Sequence, residues 1–259
     1  MIDELKFLEK DKNIAYARLN NRSNNIIQNK KNFKILYVIN SHIDYKDALQ
    51  YMFPYAINEI PKDELLVVIG GCKENKEVKV HNVNFALVKD NKYDFHAFKY
   101  IINNFKKYNN FDYIFYMHDT CCPFKGFYDL SYNFTPGCST HRVWSNCNSN
   151  LGLYSFKWLK SLQPTITNKI DNIINGQTGQ ALEDKLLDPK CNSYGYLESL
   201  FEHGFGDKLL QITPNQATKY CGFSDIYNND TFRRTEYHRQ INLAKFKSNS
   251  YLGGYNGKQ

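Results

Sequence analysis

Phe111-Asp112-Tyr113-Ile114-Phe115-Tyr116-Met117-His118-Asp119-Thr120 is the stretch that decides the fold. Aromatic and aliphatic residues run unbroken from Tyr113 to Met117, and the run stops at His-Asp-Thr. An apolar run without alternation reads as a strand buried on both faces, as strands of parallel sheets are. A carboxylate and an imidazole at the carboxyl end of such a strand stand where open α/β sheets hold their ligands. Asp119 and His118 can both ligate a metal, and hard oxygen donors suit Mg²⁺ or Mn²⁺. Asp119 can equally cap the turn that follows.

Upstream, the same grammar repeats. Lys34–Ile39 reads as a strand ending at Asn40-Ser41-His42, and a helix from about Tyr45 to Ile57 follows, with Pro54 expected to kink it. Leu65–Ile69 is a second buried strand, stopped by Gly70-Gly71, and Val83–Val88 is a third. Asp94 reads as the N-cap of a helix whose apolar face is Phe95, Phe98, Ile101, Ile102 and Phe105. This rhythm predicts an α/β domain: a Rossmann-like, mostly parallel sheet with flanking helices.

Downstream, the rhythm breaks. Residues 120–150 are rich in Cys, Gly, Pro, Ser and Asn, and so long an irregular segment in a compact protein usually carries function. Helices are expected at Ser155–Leu162, stopped by Pro164, then at Thr167–Ile174, Gln180–Leu187 and Ser193–His203. Lys208–Ile212 reads as a last strand. From Tyr220 the chain is polar, basic and aromatic, with Arg233, Arg234, His238, Arg239, Lys245 and Lys247. The expected organisation is an N-terminal helical extension over 1–32, one continuous domain over 33–247 and a flexible tail over 248–259.

The bulk composition bounds the class. The chain has 259 residues, 42% of them hydrophobic and 23% charged, as soluble globular domains have. A formal net charge of +7 favours anionic partners. The lysine runs are short and lack interleaved arginine, so nucleic acid is not an expected partner. Seven cysteines without a Cys-x-x-Cys pair, and no leader-like start, point to a reducing, cytoplasmic setting. Cys121, Cys122, Cys138 and His141 could make a zinc site: Cys138-x-x-His141 is within reach, but the vicinal cysteine pair is poor geometry for one tetrahedral ion. No apolar run approaches the ~20 residues of a membrane span.

Taken in order, these features resemble a glycosyltransferase of the GT-A fold, over roughly residues 33–247. The family marker is an Asp-x-Asp at the end of the fourth strand, which holds a divalent ion against the donor diphosphate. His118-Asp119-Thr120-Cys121 occupies that place with one carboxylate, so the motif is incomplete. The resemblance implies a nucleotide-sugar donor and Mn²⁺ or Mg²⁺ on Asp119, with His118 and His238 as further ligands. Basic side chains of the tail (Arg233, Arg234, His238, Lys245, Lys247) are the substitute for a weak metal site. It implies a general base in the acidic pair Glu183-Asp184, Asp184 preferred, and hence inversion; Glu198 is a lesser rival. It implies a nucleotide pocket from Asn40, Ser41, His42, Gly70, Gly71, Lys89, Asp90, Asn91 and Asp94. Asn148–Tyr154 would line the donor-sugar and acceptor cleft, with Trp144 and Tyr154 stacking on sugar rings. The acceptor would be a glycan, a protein or a lipid-linked molecule. Two alternatives stand beside this. One is a non-catalytic carbohydrate- or nucleotide-binding protein, for which the incomplete motif speaks. The other is a sugar nucleotidyltransferase, but that chemistry expects a Gly-rich basic loop where this chain has Asn40-Ser41-His42-Ile43-Asp44.

Overall fold

The computed structural model describes residues 33–132, 142–145, 151–174, 209–212, 232–238 and 243–248. The expected N-terminal extension, the helices Gln180–Leu187 and Ser193–His203, and the tail from 249 lie outside the described residues. In chain order the strands of the first half are β1 (Ile35–His42), β2 (Leu65–Gly70), β3 (Lys76–Val80), β4 (Val83–Leu87) and β5 (Tyr113–His118). Helix α1 (Lys46–Glu59) joins β1 to β2, and α2 (His96–Asn103) joins β4 to β5. The chain then forms β6 (Cys121–Pro123), α3 (Phe127–Tyr132), β7 (Arg142–Ser145), β8 (Gly152–Ser155), α4 (Phe156–Ser161) and α5 (Gln163–Asp171). β9 (Leu209–Ile212), β10 (Phe232–His238) and β11 (Leu243–Ser248) close it.

Seven strands form a mixed sheet in the order β3-β4-β2-β1-β5-β8-β7. Its centre is parallel: β4 beside β2, β2 beside β1, β1 beside β5. Every residue of β1, β2 and β5 is buried, which is why the sequence shows runs rather than alternation. The flanks are antiparallel. The sheet is therefore mixed where the sequence suggests a mostly parallel one. β3 is a hairpin partner of β4, turned by His81 and Asn82 at φ 51° and 66°, the left-handed pair of a tight primed turn. Its exposed Lys76, Glu77 and Lys79 make it a charged edge strand, which carries no apolar run to detect.

Successive side chains of β1 enter opposite cores. Ile35, Tyr37 and Ile39 pack with Leu49, Phe53 and Ala56 of α1. Leu36 and Val38 pack with Phe98 and Ile101 of α2, and with Leu159 and Ile166 behind them. The sheet is thus covered on both faces, an α/β fold. Since α1 and α2 lie on opposite faces, the chain winds outward from β1 through β2 to β4, then crosses back to place β5 on the other side of β1.

Local details differ from the sequence reading. Helix α1 runs through Pro54 without a break. Asp94 sits in a short 3₁₀ turn and does not cap α2 through its side chain. Asn40 of β1 does so from across the chain, its Oδ1 accepting from the Ala97 N–H at 3.1 Å. Pro164 starts helix α5 rather than stopping its predecessor, because proline fits the first turn, where its missing N–H has no partner to lose. Tyr154 is fully buried beside Phe98, at 5.6 Å between ring centroids, so it is core and not a sugar platform. The basic tail contributes β10 and β11 to a second, four-stranded antiparallel sheet in the order β6-β11-β10-β9.

Candidate functional site

The carboxyl ends of β1 and β5 meet where the winding reverses, which is where doubly wound sheets open a ligand crevice. Asn40-Ser41-His42 end β1, and His118-Asp119-Thr120 end β5. The two ends are tied across the crevice. The Ser41 hydroxyl donates to Asp119 Oδ2 at 2.7 Å, and the Asp119 N–H donates to the Asn40 carbonyl at 3.0 Å.

The 3₁₀ turn Tyr93–Phe95 and the start of α2 form the third wall. Asn40 Nδ2 donates to the Tyr93 carbonyl at 3.0 Å, while its Oδ1 caps α2, so this amide is spent on positioning the wall. Tyr116 donates its hydroxyl to the Asp94 carbonyl at 2.5 Å. That bond holds Asp94 with its carboxylate 3.5 Å from His118 Nδ1. His96 opens α2 and reaches back to the Ser41 carbonyl, with Nε2 at 2.6 Å. A carbonyl only accepts, so Nε2 carries the proton of the neutral ring.

Three imidazoles therefore line one crevice, all buried: His42, His96 and His118. The rings of His42 and His96 stand edge to face at 6.4 Å. Burial lowers the affinity of His42 for a proton, with the Asp44 charge and a hydrogen bond donated to the Asn91 side chain opposing in part. His96 is pushed down to about 4 by complete burial, aided by His42. Asp119 moves the other way, pushed up to about 7 by its burial. The Ser41 hydrogen bond opposes that rise and the neighbouring Asp94 charge adds to it. The crevice is a place where fixed charge is costly and protons sit near their transfer range.

Gly70 and Gly71 acquire a definite meaning. A Cβ on Gly70 would lie 2.7 Å from His96 Nδ1 and 2.9 Å from the Asp90 carbonyl. One on Gly71, whose φ is +74°, would lie 2.4 Å from His42 Nε2. The close approach that the sequence assigns to a ligand is made by the protein's own imidazoles.

Of the residues singled out in the sequence, the structure gathers Asn40, Ser41, His42, Asp94, His118 and Asp119 around one crevice. Lys89 is exposed and stands apart, its N–H held by the Asn75 side chain at 2.8 Å. Glu183, Asp184 and Glu198 lie outside the described residues. His238 closes β10 opposite Leu243 of β11. The residue that sequence reasoning missed is His96. Its signal was an imidazole opening an otherwise apolar helix, which reads as a surface position until the fold turns it inward.

Cys121 stands where a second motif carboxylate is expected, and it is buried in β6 with its backbone paired to Lys245 of β11. Among the described residues no three His, Cys, Asp or Glu side chains are grouped to hold a metal ion. The Asp119 carboxyl is also engaged by Ser41, and His118 Nδ1 faces Asp94. This donor set does not make a cation cage. No described helix is long and apolar enough to cross a membrane. No family model, curated protein or solved structure matches the chain.

Proposed function

We propose that this protein is a nucleotide-sugar-dependent glycosyltransferase of GT-A type. One observation carries the reading: the buried polar cluster at the reversal of strand order, tied by the Ser41–Asp119 hydrogen bond at the end of the fourth parallel strand. The position is the one the family uses for the donor diphosphate. On this reading the ends of β1 and β2 and the 93–97 turn, already bound to one another, would form the wall against which a nucleoside lies. In the reaction the bond from the anomeric carbon to the diphosphate oxygen breaks, and the acceptor hydroxyl oxygen bonds to that carbon. The acceptor proton passes to a general base, for which Glu183-Asp184 remain the candidates, and the nucleoside diphosphate leaves with the bond's electrons. Developing charge on that leaving group is what the site must stabilise. Asp119 would donate to a diphosphate oxygen only while it holds its proton, which its burial favours; the described donor set gives no ground for routing a step through Mn²⁺ or Mg²⁺.

The competing reading, a binding protein that transfers nothing, is favoured by Cys121 in place of a second carboxylate. A thermal-shift panel of UDP, GDP, CDP, dTDP and their sugars, with and without Mn²⁺, is the first test. A ligand selective for the folded state raises the melting temperature by mass action. One nucleotide family should shift it, and the matching sugar nucleotide should then be hydrolysed or transferred. Binding without turnover on any acceptor would favour the binding-protein reading. No shift with any nucleotide would end the proposal.

A further inference from the structure

A cavity of about 360 Å³ opens at the edge of the main sheet, between strand β3 and the far end of α2. Its volume falls within the about 300–1,000 Å³ of small-ligand sites. Leu87 and Val88, buried at the end of β4, give it an apolar floor. Asn75, Glu77, Asp90, Tyr100 and Asn104 give it polar walls. Asn104 closes α2 at the end opposite His96, about 12 Å along the helix axis. The cavity shares no residue with the crevice.

Each lining carboxylate is already neutralised. Glu77 accepts from Tyr100 and from Lys107, and Asp90 pairs with Lys99 at 3.0 Å. Exposed pairs such as Glu77–Lys107 add little to stability, yet here they fix Tyr100 and Glu77 as one wall. Lys76, the cation of the lining, has Glu74 at 3.9 Å. No uncompensated charge is left to select a phosphate or an amine. What remains are amides, each oriented by one bond. Asn75 spends its Oδ1 on the Lys89 N–H at 2.8 Å, and its NH₂ has no partner among the described residues. Asn104 spends its Nδ2 on the Tyr100 carbonyl at 2.7 Å, which leaves Oδ1 to accept.

Half-satisfied amides beside an aromatic ring and an aliphatic floor fit a neutral ligand that donates and accepts at several points. A purely apolar ligand would leave the amides unpaired. A hydroxyl both donates and accepts, and a ring bearing several hydroxyls, with C–H faces to lie on apolar surface, is a sugar. We propose that this cavity is a binding site for a neutral saccharide, with Asn75 and Asn104 holding its hydroxyls and Tyr100 and Leu87 receiving its apolar face. The site stands independently of the nucleotide-sugar reading.

The test is a heteronuclear NMR titration of the full chain with glucose, galactose, mannose, N-acetylglucosamine and disaccharides built from them. Inorganic phosphate and putrescine are the anionic and cationic comparisons. Wild type is compared with Asn104→Leu, which keeps the volume without the polar atoms, and with Asp119→Asn in the crevice. Asn75→Ala, at an exposed position, is the second variant should Asn104→Leu not fold. At least one neutral sugar should shift the signals of residues 75–77, 87–90 and 100–104, and the charged probes should leave them in place. Asn104→Leu should weaken that sugar about three- to tenfold, the worth of one hydrogen bond. Asp119→Asn should not. Tighter binding of a disaccharide supports the site with a glycan chain as its source, and equal binding supports it with a free sugar. The proposal is overturned if no sugar shifts those signals, or if a charged probe shifts them instead. Sugar binding lost in Asp119→Asn and kept in Asn104→Leu puts the sugar in the crevice, which overturns this site and leaves the donor reading standing. Sugar binding that depends on Asn104, without binding of any nucleotide, keeps this site and removes the donor reading.

Discussion

Asp119 and His96 share a crevice and are both buried, yet burial moves them in opposite directions along the pH axis. Water favours the charged form of each, so its removal raises a carboxyl group and lowers an imidazole. For Asp119 the folded value is about 7 against an ordinary 3.8. The folded state then holds its proton more tightly than the unfolded chain. Its contribution to stability is full below the ordinary value and is lost as pH rises through about 7. For His96 the folded value is about 4 against an ordinary 6.5. The unfolded chain takes the proton more readily, so stability is full above the ordinary value and falls as pH drops toward about 4. Between these limits the two slopes oppose each other, each amounting to at most about 1.4 kcal/mol per pH unit. Removing either group should uncover the other. Relative to wild type, Asp119→Asn should gain stability as pH rises from about 4 to about 7. His96→Gln, which keeps a donor for the Ser41 carbonyl, should gain as pH falls from its ordinary value toward about 4. Urea midpoints at four pH values across this window measure both. Parallel curves for wild type and both variants would show that neither group is shifted by its burial.

At the scale of the element, β2 ends in two glycines because α2 and β1 each send an imidazole against its backbone. Gly70→Ala should cost about 1–3 kcal/mol, since its Cβ would overlap His96 and the Asp90 carbonyl. The cost should shrink in a His96→Ala background, where the ring contact is gone and only the carbonyl contact remains. Equilibrium unfolding of wild type, both single variants and the double variant gives the coupling energy. Additive costs would mean that His96 does not set the glycine requirement. This pair also shows what the sequence made legible and why the rest was hidden. The strands β1, β2, β4 and β5 were readable because burial on both faces writes itself as an apolar run. So were the ends of those strands, because Ser41, His42, Gly70, His118 and Asp119 are the residues at which the apolar runs stop. What the glycines accommodate was not readable, since His96 meets Gly70 only through a helix packed across the sheet. Asn40 as the cap of α2 was hidden for the same reason, as its partner lies far along the chain. The edge strand β3 has charged residues in place of an apolar run, and β6 has only three residues; neither leaves a pattern of its own.

At the scale of the molecule, the second sheet is built from segments distant in sequence, with β6 beside β5 and β9 to β11 arriving from the far end. Its hold on the first sheet runs through Leu243, which is fully buried among Cys121, Leu151 and Leu153 in the core under the parallel strands. Leu243 thus joins a tail that reads as polar and basic to the core under the parallel strands. If the two sheets share one core, they should unfold together. Leu243→Ala should then lower global stability by about 2–5 kcal/mol, the range for a leucine truncated in a packed interior. The urea midpoint should fall at unchanged slope, with far-UV circular dichroism and tryptophan fluorescence reporting one transition. Should the second sheet be a separate unit, the variant would split the transition in two, and the main sheet would keep its wild-type midpoint.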